Sequence, residues 1–168
     1  MRKDRQTLRK KTISKQEAAL PSAPVHEEID IAAIATVLLT SESPEFPIEN
    51  AFDEQTGPGG TRWIAPAPGD QVLILQFDVP QTLHELLLEA EELEVSRTQV
   101  VELFLSSDGG RSYREVLRQE YNFSPPGTTF EREVWSVPAE GVTHLRIGIK
   151  PDKAGKPCHA NLISLALR

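Results

Sequence analysis

The chain has 168 residues, 39% hydrophobic and 26% charged, with a formal net charge of −7, enough for one core-forming domain and an appendage. Residues 1–20 hold seven Lys/Arg against Asp4 and Glu17, a balance of +5; taking these from the totals of 18 bases and 25 acids leaves the rest with 11 and 23, or −12. So acidic a body repels a phosphate backbone and sets nucleic acid aside as its partner, while the lone Cys158 excludes an internal disulfide framework and fits a reducing, cytoplasmic setting.

Residues 1–28 read as an appendage. "MRKDRQTLRKKTISKQEAAL" is basic, poor in apolar side chains and compatible with a helix, and "PSAPVHEE" breaks any helix and reads as a linker. Such a tail cannot build its own core. It is expected to order on an acidic protein surface through Arg2, Lys3, Arg5, Arg9, Lys10, Lys11 and Lys15. The next run, "IDIAAIATVLLT" at residues 29–40, falls well short of the roughly 20 apolar residues that span a bilayer. Glu27, Glu28 and Asp30 flank it and no small-residue cleavage site follows, so it reads as a first strand rather than a secretory segment. No membrane partner is expected.

From residue 29 onward, short apolar runs alternate with turn signals. "QVLILQFDV" is a strand. "TLHELLLEAEELE", residues 82–94, is rich in helix formers, yet its neighbours demand a sheet partner. As a strand it places Leu86, Leu88 and Ala90 on one face and Leu87, Glu89 and Glu91 on the other. In "VELFLSSDGGRSYREV", Val101, Leu103 and Leu105 alternate with Glu102, Phe104 and Ser106, the period of a strand with two unlike faces. Asp-Gly-Gly then suits a two-residue hairpin turn, with Tyr113 and Val116 on the return strand. Asp108 is read as a turn residue, since one carboxylate supplies too few oxygens for calcium. The runs "REVWSV", "THLRIGI" and "ANLISLAL" follow, separated by "SPPGTT" and "KPDKAGKP". Many short strands with Gly/Pro punctuation predict a β-sandwich or barrel, with Leu73, Leu75, Val101, Leu103, Leu105 and Ile147 facing its interior.

Catalytic signals are weak. His84-Glu85 lacks the second histidine of a zinc-protease helix, and Cys158-His159 lacks further cysteines for a metal site. His26 and His144 stand alone in the sequence. "TGPGGT" has glycines but no following Lys-Ser/Thr to cradle a phosphate, and no serine stands in a nucleophile-elbow setting. The chain is therefore expected to be no enzyme and to need no cofactor.

Five segments in order resemble discoidin, or coagulation-factor type C, domains. "PIENAFDEQTGPGGTRW" is similar to that family's opening Ala-x-Asp, loop and Thr-x-Trp, and "QVLILQFDVPQTLHELLL" to the strand pair that follows. "VELFLSSDGGRSYREV" resembles its strand, Ser-x-Asp-Gly turn and return strand, "THLRIGI" its late Arg-bearing strand, and "ANLISLAL" its closing strand. The resemblance implies an all-β fold over residues 29–168, the antiparallel jelly-roll β-sandwich of the galactose-binding-like type. That fold serves glycan-binding, phospholipid-binding and protein-docking domains alike.

The resemblance also implies three loops at one end, near residues 41–49, 91–98 and 151–160, which would bring together Phe46, Arg97, Lys156 and His159. Phe46 would stack on a sugar and Arg97 and His159 would bind its polar groups. Trp63 falls at a packing position, and Arg62 beside it is a further ligand candidate. The chain departs from the calcium-binding relatives, which use an Asp-Gly-Asp-type loop and a glutamate in the closing strand. Here Asp53 precedes "EQTGPGG", and Ser164 or Leu165 stands where that glutamate would fall, so Asp53, Glu54 and Thr61 form an incomplete set; no metal ligand is assigned, and the sequence leaves a structural calcium near Asp53 open. Acidic "ESPEF" and "EAEELE" argue against membrane docking. Two functions remain: an accessory, protein-interaction subunit of a cytoplasmic complex, favoured by the tail and the few aromatics, or alternatively a carbohydrate-binding module using the loop end.

Overall fold

The structure is a computed structural model, and it describes residues 9–21 and 25–168. Two short helical turns, α1 (Lys15–Ala18) and α2 (Ile31–Ile34), and one 3-10 turn (Ile48–Ala51) accompany eight strands. The strands are β1 (Ala35–Leu39), β2 (Trp63–Ile64), β3 (Gln71–Glu91), β4 (Arg97–Ser106), β5 (Arg114–Phe123), β6 (Phe130–Lys150), β7 (Asn161–Leu162) and β8 (Ser164–Leu167).

Two strands of 21 residues, β3 and β6, organise the fold. They pair antiparallel along nearly their whole length, but the register breaks between Gln76 and Glu85. Pro80 sits in that break on β3, and Pro138 and Gly141, the latter at φ 64°, sit opposite on β6. Proline has no N–H for the ladder and forces a bend. Each strand therefore turns a corner and serves two sheets. The first half of β3 and second half of β6 join β1, β4 and β5 in a five-stranded sheet ordered β1-β3-β6-β4-β5; the other halves join β8 in a three-stranded one. The ribbon β2–β7 is a separate two-stranded sheet held beside β3, where the Asn161 side-chain oxygen accepts from Glu91 N–H.

The two sheets enclose one core. Leu73, Leu75, Val101, Leu103, Leu105 and Ile147 are all buried, as their alternation predicts, and meet Leu86, Leu88, Trp135, Leu165 and Leu167 from the second sheet. Residues 82–91 are strand, with Leu86, Leu88 and Ala90 inward. The architecture is thus the antiparallel β-sandwich expected.

Two local expectations need correction, and the tail is described only in part. Residues 29–40 are not all strand: Asp30 caps Ala33 N–H through its carboxylate at 3.2 Å, and Ile31–Ile34 form a helical turn before β1 begins. The Asp-Gly-Gly connection is longer than two residues, because β4 ends at Ser106 and β5 starts at Arg114, leaving Tyr113 in the loop. Of the tail, Arg2, Lys3 and Arg5 lie outside the described residues; Arg9, Lys10, Lys11 and Lys15 are exposed, and only Lys15 is helical, in a turn capped by Ser14 and Glu17. The chain joins the body where His26 stacks on His84 of β3 at 3.5 Å and Ile29 N–H donates to the Leu167 carbonyl.

Candidate functional site

Register places three loops at the same end of the five-stranded sheet. Leu39 closes β1 opposite Leu73, Gln71 opens β3 opposite Ile149, and Val100 near the start of β4 faces Lys150 at the end of β6. Loops 40–49, 92–96 and 151–160 leave from there together.

Loop 40–49 is pinned from below. Thr40 and Ser41 hydroxyls both donate to Gln71 Oε1, at 2.6 and 2.7 Å, and Ile48 N–H donates to Glu42 Oε2. Trp63 fills the space beneath, fully buried, and its indole N–H donates to the Ser41 carbonyl at 3.1 Å. It is the packing residue that the resemblance implied. The loop can then hold Phe46 outward, 38% exposed. Its carbonyl accepts from Ile64 N–H of β2. On the other side of the same ribbon, exposed His159 is held by its Nδ1 at 2.8 Å from the carbonyl of Ala65. A carbonyl only accepts, so Nδ1 carries the hydrogen and Nε2 is left as the free nitrogen. The Phe46 backbone carbonyl and the His159 imidazole are thereby tethered to two successive residues, Ile64 and Ala65.

The other three candidates behave differently. Arg97 is buried, and this removes it from the expected ligand-contact set. Its Nε donates to Glu92 Oε1 at 2.8 Å, its Nη1 to Gln99 Oε1 and the Pro151 carbonyl, and its guanidinium lies 4.9 Å from the Phe123 ring centre. It ties two loops to β4 and β5. Arg62 is likewise turned inward, its Nη2 donating to Glu91 Oε1 at 2.6 Å with 17% of the side chain exposed. Lys156 is exposed, and its ammonium donates to the Ser96 carbonyl at 2.8 Å, bridging two of the loops. Beneath it the Asp152 carboxylate accepts from the amides of Lys156 and Thr98. The Lys156 amide chiefly, with that of Thr98, holds the Asp152 carboxyl below its ordinary value.

Asp108 is saturated as a turn clasp. Oδ1 accepts from the Ser106 hydroxyl and the amides of Arg111 and Ser112, and Oδ2 from the Ser112 hydroxyl. These donors, led by the Ser112 hydroxyl, hold its carboxyl far below the usual carboxylate range. Cys158 is buried, which pushes its thiol pKa up and makes it a poor nucleophile. The Asp53 carboxylate accepts from Gln55 N–H and the Thr61 hydroxyl, which close the start of the loop on its end. Among the described residues no group of three or more His, Cys, Asp or Glu is placed to hold a metal.

Sequence reasoning missed a groove of about 480 Å³ on the outer face of the three-stranded sheet, lined by Ile29, Asp30, Phe52, Leu87, Arg132 and Arg168 among others. Its walls come from segments far apart in the chain, so no local pattern announces it. Among the described residues no helix is long and apolar enough to cross a membrane.

No family model matches the chain, and no curated protein matches it in sequence. Solved structures do match in fold. The family 32 carbohydrate-binding module of Clostridium perfringens NanJ, in complex with galactose, superposes with a TM-score of 0.59 at 14% identity, over 83% of this chain and 96% of that one. The family 32 module of AlyQ, in complex with 4,5-unsaturated mannuronic acid, gives 0.57 at 21% identity over 85% and 98%. A third, CpGH89CBM32-5 from Clostridium perfringens with GalNAc-β-1,3-galactose, gives 0.58 at 16% identity over 84% and 99%. The fold is the galactose-binding-like, discoidin-type sandwich. The basic tail, the lone cysteine and the few aromatics pointed first to a protein-interaction subunit, and the comparisons, which show the fold alone, give that reading no support.

Proposed function

We propose that this chain is a non-catalytic carbohydrate-binding module that takes a glycan at the loop end of the sandwich, with Phe46 and His159 as its contact residues. The observation that carries this reading is the tethering of the Phe46 backbone and the His159 ring to successive residues, Ile64 of β2 and Ala65 just after it, with both side chains exposed. Sugar recognition needs an apolar face for the ring C–H groups and a few fixed polar atoms for hydroxyls. Phe46 supplies the first, and His159 Nε2 accepts from a hydroxyl while its partner nitrogen is held. Lys156 frames the rim, and Arg97 and Arg62 build the support below without touching the sugar. The solved neighbours that bind galactose and GalNAc-β-1,3-galactose lend weight to a galactose-type terminus. A glycan array probed with the full chain tests the reading: it is expected to return hits that Phe46→Ala and His159→Ala each remove. An array without hits on folded protein sinks it.

A further inference from the structure

Residues 53–61, "DEQTGPGGT", fold over the outer face of the three-stranded sheet. Glu89 and Glu91 point outward from β3, on the side opposite Leu88 and Ala90, yet they are only 4% and 5% exposed. Carboxylates stripped of water in this way need compensating donors. The chain supplies them. Gly57 N–H donates to Glu89 Oε2 at 2.8 Å, Gly59 N–H lies 3.2 Å from both oxygens of Glu91, and Arg62 Nη2 donates to Glu91 Oε1 at 2.6 Å. Arg132 Nε, 3.6 Å from Glu89 Oε1, adds a second cation.

The loop is shaped for this contact. Gly57 and Gly59 take φ of 91° and 76°, a region that favours glycine and that turns both amides toward the sheet. Between them and β2, a Cβ on Gly60 would lie 3.1 Å from the Gly57 carbonyl oxygen and 3.2 Å from Ile163 Cγ2, so the loop seats closely. Ser164 of β8, near where calcium-binding relatives would offer a glutamate, stands opposite Glu89 in register. Glu89 and Glu91 stand one strand over from that position, on β3, and hydrogen donors rather than free oxygen lone pairs meet them. That arrangement cannot ligate a metal, because the positive partner is already in place.

We propose that Arg62, with the Gly57 and Gly59 amides, does for this loop what a bound divalent cation does in calcium-binding relatives, so that the sandwich closes without metal. The inference stands independently of the carbohydrate reading. Thermal denaturation and a calorimetric calcium titration of the full chain test it. The wild-type Tm is expected to be the same in excess EDTA and in excess calcium, with no heat of binding. Arg62→Met is expected to lower the Tm by several degrees, Glu91→Gln likewise, and the double variant no further than the worse single, as for two groups acting as one unit. A wild-type Tm that falls in EDTA and recovers with calcium overturns the proposal, and so does Arg62→Met melting like wild type. The metal titration needs no variant and decides even if Arg62→Met fails to fold.

Discussion

Replacing Arg97 by alanine separates a supporting role from a ligand role. The Arg97 side chain is fully buried and its partner Glu92 is 17% exposed. Alanine would leave Glu92 without its cation, Gln99 Oε1 and the Pro151 carbonyl without their donor, and a cavity against Phe123. Breaking a buried pair by removing one partner costs about 3–5 kcal/mol. Glu92 keeps some contact with water, which places the change near the lower end, about 3 kcal/mol. At about 2–4 °C per kcal/mol for a domain of this size, the Tm should fall by about 6–12 °C. Differential scanning calorimetry reads this directly, with glycan affinity measured well below the transition. Arg97→Ala should be strongly destabilised yet bind glycan normally while folded. An unchanged Tm together with lost glycan binding would refute the reasoning and return Arg97 to the contact set.

Phe46→Ala and His159→Ala should do the reverse: each should weaken glycan binding by about tenfold or more, equivalent to about 1.4 kcal/mol, with a Tm near wild type; isothermal calorimetry and melting curves on the same samples check both halves. Asp108 has a depressed carboxyl pKa in the folded state, so its stabilisation is fully present above its ordinary value of 3.8 and is lost as pH falls toward the folded-state value. Asp108→Asn should therefore lose stability at neutral pH and show a flatter acid-unfolding profile below about pH 4; parallel profiles for variant and wild type would contradict the clasp. Deleting residues 1–24 should leave the Tm nearly unchanged, because the described residues 9–21 are exposed and their hydrogen bonds stay within the segment. A fall of many degrees in the truncated chain would show that the tail braces the sandwich.

The sheet was legible wherever burial follows a period of two. Val101, Leu103 and Leu105 announce an inward face from spacing alone, and Leu86, Leu88 and Ala90 do so despite a helix-prone composition, because acids hold two of the three outward positions, Glu89 and Glu91 beside Leu87. Helix propensity lost there to pairing with β6 and β8 on both sides. The turn at residues 31–34 was not legible, since its cause is one capping carboxylate beneath an apolar run that suits a strand equally well. The site was only half legible. Phe46 and His159 sit where ordered motifs place the loops, but the burial of Arg97 depends on Pro151 and Glu92 closing over it. The string "EAEELE" looks like a solvated face, and nothing local shows that a glycine loop some thirty residues earlier covers Glu89 and Glu91.

The central claim, a glycan site at the loop end, is tested most directly by titrating isotope-labelled protein with galactose- and GalNAc-terminated oligosaccharides and following amide and side-chain shifts by NMR. The account predicts saturable shifts concentrated at Phe46, Ile64, Ala65 and His159, with the groove beside Arg132 and Arg168 unmoved. Saturable shifts confined to that groove, or none with any glycan on folded protein, would contradict it.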